Sequence, residues 1–272
     1  MSALMASLAE LASPLVALRT VELLCAASVA LQTAENLVNL PALSETGTWR
    51  WSLVRRDLAQ LPPPLLAVFD ALMSPRSLAL LSIMQLSCAL AMFVDPRACW
   101  AMACFVTSLI FAIRLRGSVN GGSDSITLIT LACVTLGRGL DHDGRVVVGA
   151  LIYIALQSIA SYVIAGVVKL RSSRWRAGEA LRRFADGAAV GPPPGALRPL
   201  LRGPFARAAS FCVIAFELSA PVALASPRFA LMFVSGGLFF HALNAYILGL
   251  HRFFWAWLAT YPAILFTATL LL

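Results

Sequence analysis

Charge is scarce in this 272-residue chain: Asp, Glu, Lys and Arg make up 12% of it, about half the share of a soluble domain. Extended polar sequence is missing as well. The longest stretch without a membrane-spanning pattern, residues 169–206, is rich in Arg and Pro and too short for a core of its own, so no separate water-soluble domain is expected. Lysine is almost absent, with Lys169 alone among 21 basic residues. The net charge of +8 is therefore guanidinium charge. It lies in loops between apolar runs, where arginines are topology signals rather than a nucleic-acid surface. No C-x-x-C pair occurs among the six cysteines, Cys25, Cys88, Cys99, Cys104, Cys133 and Cys212. Each lies in an apolar segment, which reads as small hydrophobes between helices and points away from a metal or disulfide framework. Met1–Pro14 lacks the basic start and small-residue cleavage site of a secretory signal, so the first apolar segment is expected to stay as a helix.

What the chain does have is hydrocarbon. Hydrophobic residues make up 60% of it, and the mean hydropathy is +0.82. A soluble fold of this length has no interior large enough for that surface, so lipid is the solvent for much of it. The expected fold is all-α: one polytopic transmembrane bundle over residues 1–272, of about eight helices with one amphipathic surface helix. Apolar runs place spans near 15–38, 77–94, 98–115, 124–138, 146–168, 207–225, 229–250 and 253–272. The 124–138 run is short, which suits a tilted or re-entrant segment. Residues 61–74, after Pro62-Pro63-Pro64 and carrying Asp70, read as interfacial. Over 171–187, Trp175, Leu181 and Phe184 alternate with Arg174, Arg176, Arg182 and Arg183 at helical spacing, as in a basic helix lying on a membrane surface. Counting basic residues on alternating sides puts the Lys169–Arg207 loop in the cytoplasm and both termini outside.

Ionisable groups inside spans cost about 2.5–3.5 kcal/mol on insertion scales, so each needs a reason. Arg19 and Glu22, three apart on the first helix, can pair on one face. Glu35, Asn36 and Asn39 fall near that helix's end, at the expected interface. Glu217 interrupts the apolar run Phe211–Ala223; it meets either a partner charge such as Arg19 or a polar pocket suited to proton transfer. His241 and Asn244 share a face of the seventh helix, and a histidine there is more often an interhelical hydrogen-bonder than a ligand. Asp141-His142-Asp143 sits in a short polar turn and reads as solvated, so no metal site is expected. Lys169 closes an apolar run of more than 20 residues. Lysine can shed its proton when desolvated and arginine cannot, so the lone lysine suits a general base. The competing reading is a residue that ends a helix by snorkelling.

Tyr162-Val163-Ile164-Ala165-Gly166-Val167-Val168-Lys169-Leu170, followed by Trp175 and Gly178, closely resembles a segment of the vitamin K-dependent gamma-carboxylase family. A second stretch agrees: Phe240-His241, Asn244, Phe253, Leu258-Ala259 and Pro262 fall at that family's spacing. Glu217-Leu218-Ser219-Ala220 is similar to a third segment, and Arg19 sits where the first family helix carries an arginine. The resemblance covers roughly residues 14–266 and looks like the short bacterial form, the horizontally transferred transmembrane (HTTM) domain, with the SdpB-like group among its relatives. It implies Lys169 as the base acting on a reduced naphthoquinone of the menaquinone or vitamin K kind. His241 and Asn120 would be hydrogen-bond donors to oxyanions, and Arg19, Tyr162, Trp175, Glu217 and Asn244 would bound the pocket.

The departures are specific. Where the family loop has two asparagines and a histidine, Ser118-Val119-Asn120-Gly121-Gly122-Ser123 keeps only Asn120. No large substrate domain follows the last apolar run, so full gamma-glutamyl carboxylation is not expected. Family topology also puts the Lys169 end outside the cytoplasm, opposite to the charge count. The expected function is a quinone- or lipid-dependent enzyme of a bacterial plasma membrane, modifying a peptide or small molecule. The alternatives are a non-catalytic subunit that matures or exports a secreted peptide with a partner protein, or a lipid- or quinone-binding or transport protein.

Overall fold

The computed structural model describes residues 13–116, 121–186 and 203–271, and among them there are helices and no strand. The main helices are α1 (Pro14–Val38), α2 (Pro63–Leu72), α3 (Pro75–Val94), α4 (Ala98–Leu115), α5 (Gly121–Gly139) and α6 (Arg145–Arg171). They continue with α7 (Glu179–Asp186), α8 (Gly203–Leu218), α9 (Pro227–Leu248), α10 (His251–Leu258) and α11 (Tyr261–Leu270). Among the described residues, seven helical segments are long and apolar enough to cross a membrane: α1, α3, α4, α6, α8 with the 3-10 turn after it, α9, and the α10–α11 pair. The chain is an integral membrane protein. The eighth expected span corresponds to α5, a 19-residue helix that falls short in apolarity because it carries Asp124, Arg138 and several threonines and glycines.

Sequence signals set the helix ends. α3 and α9 each start at a Ser-Pro pair, where proline occupies the first turn at no hydrogen-bonding cost. Ser74 accepts from the Ser77 N–H and Ser226 from the Phe229 N–H, each satisfying one orphan donor. α9 stops at Gly249, whose left-handed φ of 68° lets its N–H return to Ala245 O.

Two expectations are corrected. The final span is two helices, broken at Ala259–Thr260, where Thr260 Oγ1 donates to Trp257 O at 2.8 Å and Pro262 has no N–H to continue the ladder. The basic surface helix over 171–187 is likewise interrupted: α6 runs on to Arg171, a single turn covers Ser173–Arg176, and α7 begins at Glu179. Gly178 makes the break, with a φ of +74° and a virtual Cβ 2.5 Å from the Arg207 backbone nitrogen, so only glycine lets the chain pass α8 there.

The described chain divides into two compact units, one of Leu151–Leu272 with the residues up to Leu18, the other of Arg19–Ala150. In the Arg19–Ala150 unit, Leu43, Trp51, Val54, Met73, Leu78, Phe111 and Leu115 form a buried apolar cluster. Outside the spans, Arg55 forks onto Asp70 at 2.7 and 3.0 Å and the Trp51 indole adds a third bond. The Arg55 and then the Trp51 hydrogen bond hold the Asp70 carboxyl below its usual range. Between spans, Gln32 donates to Thr127, Thr33 to Gln85 and Gln85 to Ser108, the polar glue that lipid-embedded helices use. Asn36, near the end of α1, is buried. Glu22 pairs with Arg19, as its spacing predicts, at 2.9 Å, and also with Arg138 at 2.6 Å. Arg19 further donates to the Met92 and Phe93 carbonyls that end α3.

In the Leu151–Leu272 unit, α9 packs on the 3-10 turn Ala220–Ala225, α10 and α11. Tyr261–Ala268 of α11 are all buried, so the last helix forms the centre of this unit. Ser158 and Thr260 share a hydrogen bond of 3.0 Å across it.

Removing the buried Glu22 carboxylate leaves two guanidinium groups facing each other without it. Glu22→Gln is expected to lower unfolding stability in detergent by about 3–5 kcal/mol. Thermal unfolding checks this, and a loss below about 1 kcal/mol contradicts a structural role for the triad.

Candidate functional site

Helical geometry puts Tyr162, Gly166 and Lys169 on one face of α6, at spacings of four and three. Gly166 lets α8 come close: a Cβ there would lie 2.9 Å from Leu218 side-chain carbons and 3.1 Å from Glu217 Cβ. One turn further on, Lys169 Nζ reaches Glu217 and donates to Oε1 at 2.6 Å and Oε2 at 2.8 Å. The lysine side chain is 18% exposed and the glutamate 4%, so the pair is largely out of reach of water. Trp175, on the turn after α6, covers the amine with its ring centroid 5.2 Å from Nζ, a distance at which the ring quadrupole attracts a cation.

Two turns before Lys169, Tyr162 is the hub of a second group. Its hydroxyl shares hydrogen bonds with His241 Nε2 at 2.7 Å and with the Tyr261 hydroxyl at 3.0 Å. Phe216, next to Glu217 in the chain, stands edge-on to Tyr162 at 5.9 Å and stacks on Phe233 at 5.0 Å. Phe240 touches both Phe216 and His241, and His241 stacks on Trp257 at 5.3 Å. The result is an aromatic layer threaded by hydroxyl and imidazole groups. Within it, His241 Nδ1 and Trp257 Nε1 are buried and lack hydrogen-bond partners among the described residues. Such atoms are costly in apolar surroundings.

Of the residues singled out in the sequence, Lys169, Trp175 and Glu217 come together, and Tyr162 and His241 come together. Glu217 pairs with Lys169, and Arg19, in the other unit, pairs with Glu22. Asn244 is half-buried on α9 one turn beyond His241 and makes no side-chain hydrogen bond among the described residues. Asn120 lies outside the described residues. Sequence reasoning missed Tyr261, Trp257 and Phe216. Pro262 and Leu258 flank two of them, but an aromatic in an apolar run carries no mark of its partner. Among the described residues no group of three or more His, Cys, Asp or Glu is placed to hold a metal ion.

Chemically, the pair holds a transferable proton between nitrogen and oxygen 2.6 Å apart. The second group offers the imidazole Nδ1 of His241 and the indole N–H of Trp257, both without partners among the described residues. Comparison with protein-family models, curated proteins and solved structures gave no match for this chain.

Tyr162→Phe keeps the ring contacts and removes the hydroxyl shared by His241 and Tyr261. It is expected to cost about 1–3 kcal/mol of stability through the buried partners left unsatisfied. Chemical or thermal unfolding in detergent reads this, and a variant as stable as the parent contradicts the hub assignment.

Proposed function

We propose that this protein is a membrane-embedded acid–base enzyme acting with a lipid-soluble hydroxy compound, in the bacterial plasma membrane. The nearest chemical type is the one its sequence resembles, the short HTTM form of the vitamin K-dependent gamma-carboxylase-like proteins. The Lys169–Glu217 pair under Trp175 carries this reading: a titratable amine, a carboxylate and an aromatic cover, shielded from water inside lipid-spanning helices. A purely structural ion pair of this kind is a poor source of stability, because desolvation offsets much of the attraction.

The residues fit an aromatic ring bearing oxygens. His241 Nδ1 and Trp257 Nε1 are buried without partners, and the stacked rings beside them suit a flat apolar molecule. His241, Trp257 and the Phe216–Phe233 stack would hold such a molecule. A reduced naphthoquinone, when bound, supplies an ionisable hydroxyl and two-electron redox chemistry. The protein's own part is proton handling. Glu217 Oε1 takes one proton from the Lys169 ammonium, and the neutral amine so formed accepts the proton of the hydroxy compound, so the ion pair becomes an ammonium beside a carboxylic acid with a net gain of one proton. The base is thus the pair acting as a unit, which refines the lone lysine expected from sequence. His241 and Trp257 orient oxygen atoms, Trp175 keeps water from the amine, and Tyr162 fixes His241 through Nε2.

The test uses protein purified in mild detergent. Mass spectrometry of the copurified small molecules is expected to find a naphthoquinone-like compound. Lys169→Arg keeps the charge and removes the exchangeable base, so it is expected to retain that compound. Its anaerobic proton uptake from added reduced naphthoquinone should slow by about 100-fold or more. Phospholipid as the sole bound molecule, or an unchanged rate in Lys169→Arg, contradicts the proposal and favours a binding, transport or peptide-maturation role.

A further inference from the structure

Three residues past Lys169 the chain leaves the membrane span and forms a groove of about 350 Å³, lined by Ser172, Arg174, Trp175, Ala180, Arg183 and Phe184. Trp175 and Phe184 form its apolar wall, with ring centroids 6.1 Å apart. Phe184 is 55% exposed, an unusual position for a phenylalanine on a helix whose other residues are mostly charged. The surroundings are strongly basic: between Lys169 and Asp186 the sequence has Lys169, Arg171, Arg174, Arg176, Arg182 and Arg183 against Glu179 and Asp186.

These arginines differ in their commitments. Arg183 is paired with Glu179 at 2.6 Å. Arg176 Nη1 donates to the Leu170 and Arg171 carbonyls that end α6. Arg174, on the groove's edge, has no hydrogen-bond or ion-pair partner among the described residues, and its planar fork matches a phosphate in two-point geometry. An uncommitted guanidinium beside an exposed aromatic wall, at the end of a spanning helix, has the chemistry of the headgroup layer. There a phosphate and the first acyl carbons lie side by side.

We propose that this groove is a specific site for an anionic phospholipid of the surrounding bilayer. Arg174 binds its phosphate, and Trp175 and Phe184 lie against its glycerol and upper chain carbons. Trp175 also covers Lys169, so an occupied groove braces the lid of the ion pair. The site does not depend on the catalytic reading, and it is read by mass rather than by turnover.

The full chain is placed in nanodiscs of equal phosphatidylcholine and phosphatidylglycerol, released into detergent, and the retained lipids are identified by native mass spectrometry. The wild type is expected to keep one phosphatidylglycerol in preference to phosphatidylcholine. Arg174→Gln should weaken that retention about ten-fold, the loss of one charge-assisted phosphate contact. Arg145→Gln, at a basic side chain 89% exposed outside the groove, should leave it unchanged. Equal retention of both lipids, unaltered retention in Arg174→Gln, or an equal loss in Arg145→Gln overturns the proposal. Complete displacement by inorganic phosphate also overturns it, since the occupant is then a free anion.

Discussion

A carboxylate and an ammonium have been buried between two membrane-spanning helices, and much of the surrounding architecture follows from keeping them together. Either ion alone inside a spanning segment carries a heavy desolvation penalty. Together, at 2.6 and 2.8 Å, they recover much of it, but only if two helices approach to within one missing methyl group. Gly166 provides that approach. Trp175 closes the remaining side, and the chain turns sharply at Gly178 to carry the tryptophan's segment back across α8. The local sequence from Tyr162 to Gly178 is thus one device, in which backbone proximity, charge pairing and aromatic cover each require the others.

The protein meets the cost of buried charge in two ways. In the Arg19–Ala150 unit, Glu22 bridges two arginines, and Arg19 further caps the carbonyl end of α3. The triad is thereby tied to a helix end, which suits a fixed structural clamp. In the Leu151–Leu272 unit, the lone lysine of the chain faces a single carboxylate, and the polar network nearby ends in unpartnered nitrogens on His241 and Trp257. That difference, a carboxylate clamped between two arginines in one unit and a lone lysine facing one carboxylate in the other, is why function is proposed for the second.

Much of this was legible in the sequence, for physical reasons that can be named. Spans are readable because lipid demands long apolar helices. Lys169 stood out because no other lysine competes with it, and Glu22 found Arg19 because partners three apart on a helix need no tertiary information. Glu217 could be recognised as needing a partner, yet its choice of Lys169 over Arg19 depends on how α6 and α8 meet. Tyr261 and Trp257 were invisible because they are ordinary members of an apolar run, and the break at Ala259–Thr260 that orients them is a local event. The division of the basic stretch at Gly178 was hidden by a helical charge pattern that continues across a non-helical backbone.

The most direct test is a double-mutant cycle on the pair itself. Lys169→Met, Glu217→Leu and the double variant are compared for unfolding stability in detergent. A buried pair predicts a loss of about 3–5 kcal/mol in each single variant and recovery of most of it in the double, because two apolar side chains replace two mutually dependent ions. Losses that simply add would mean that the two groups do not depend on each other, and the account built on them would fall.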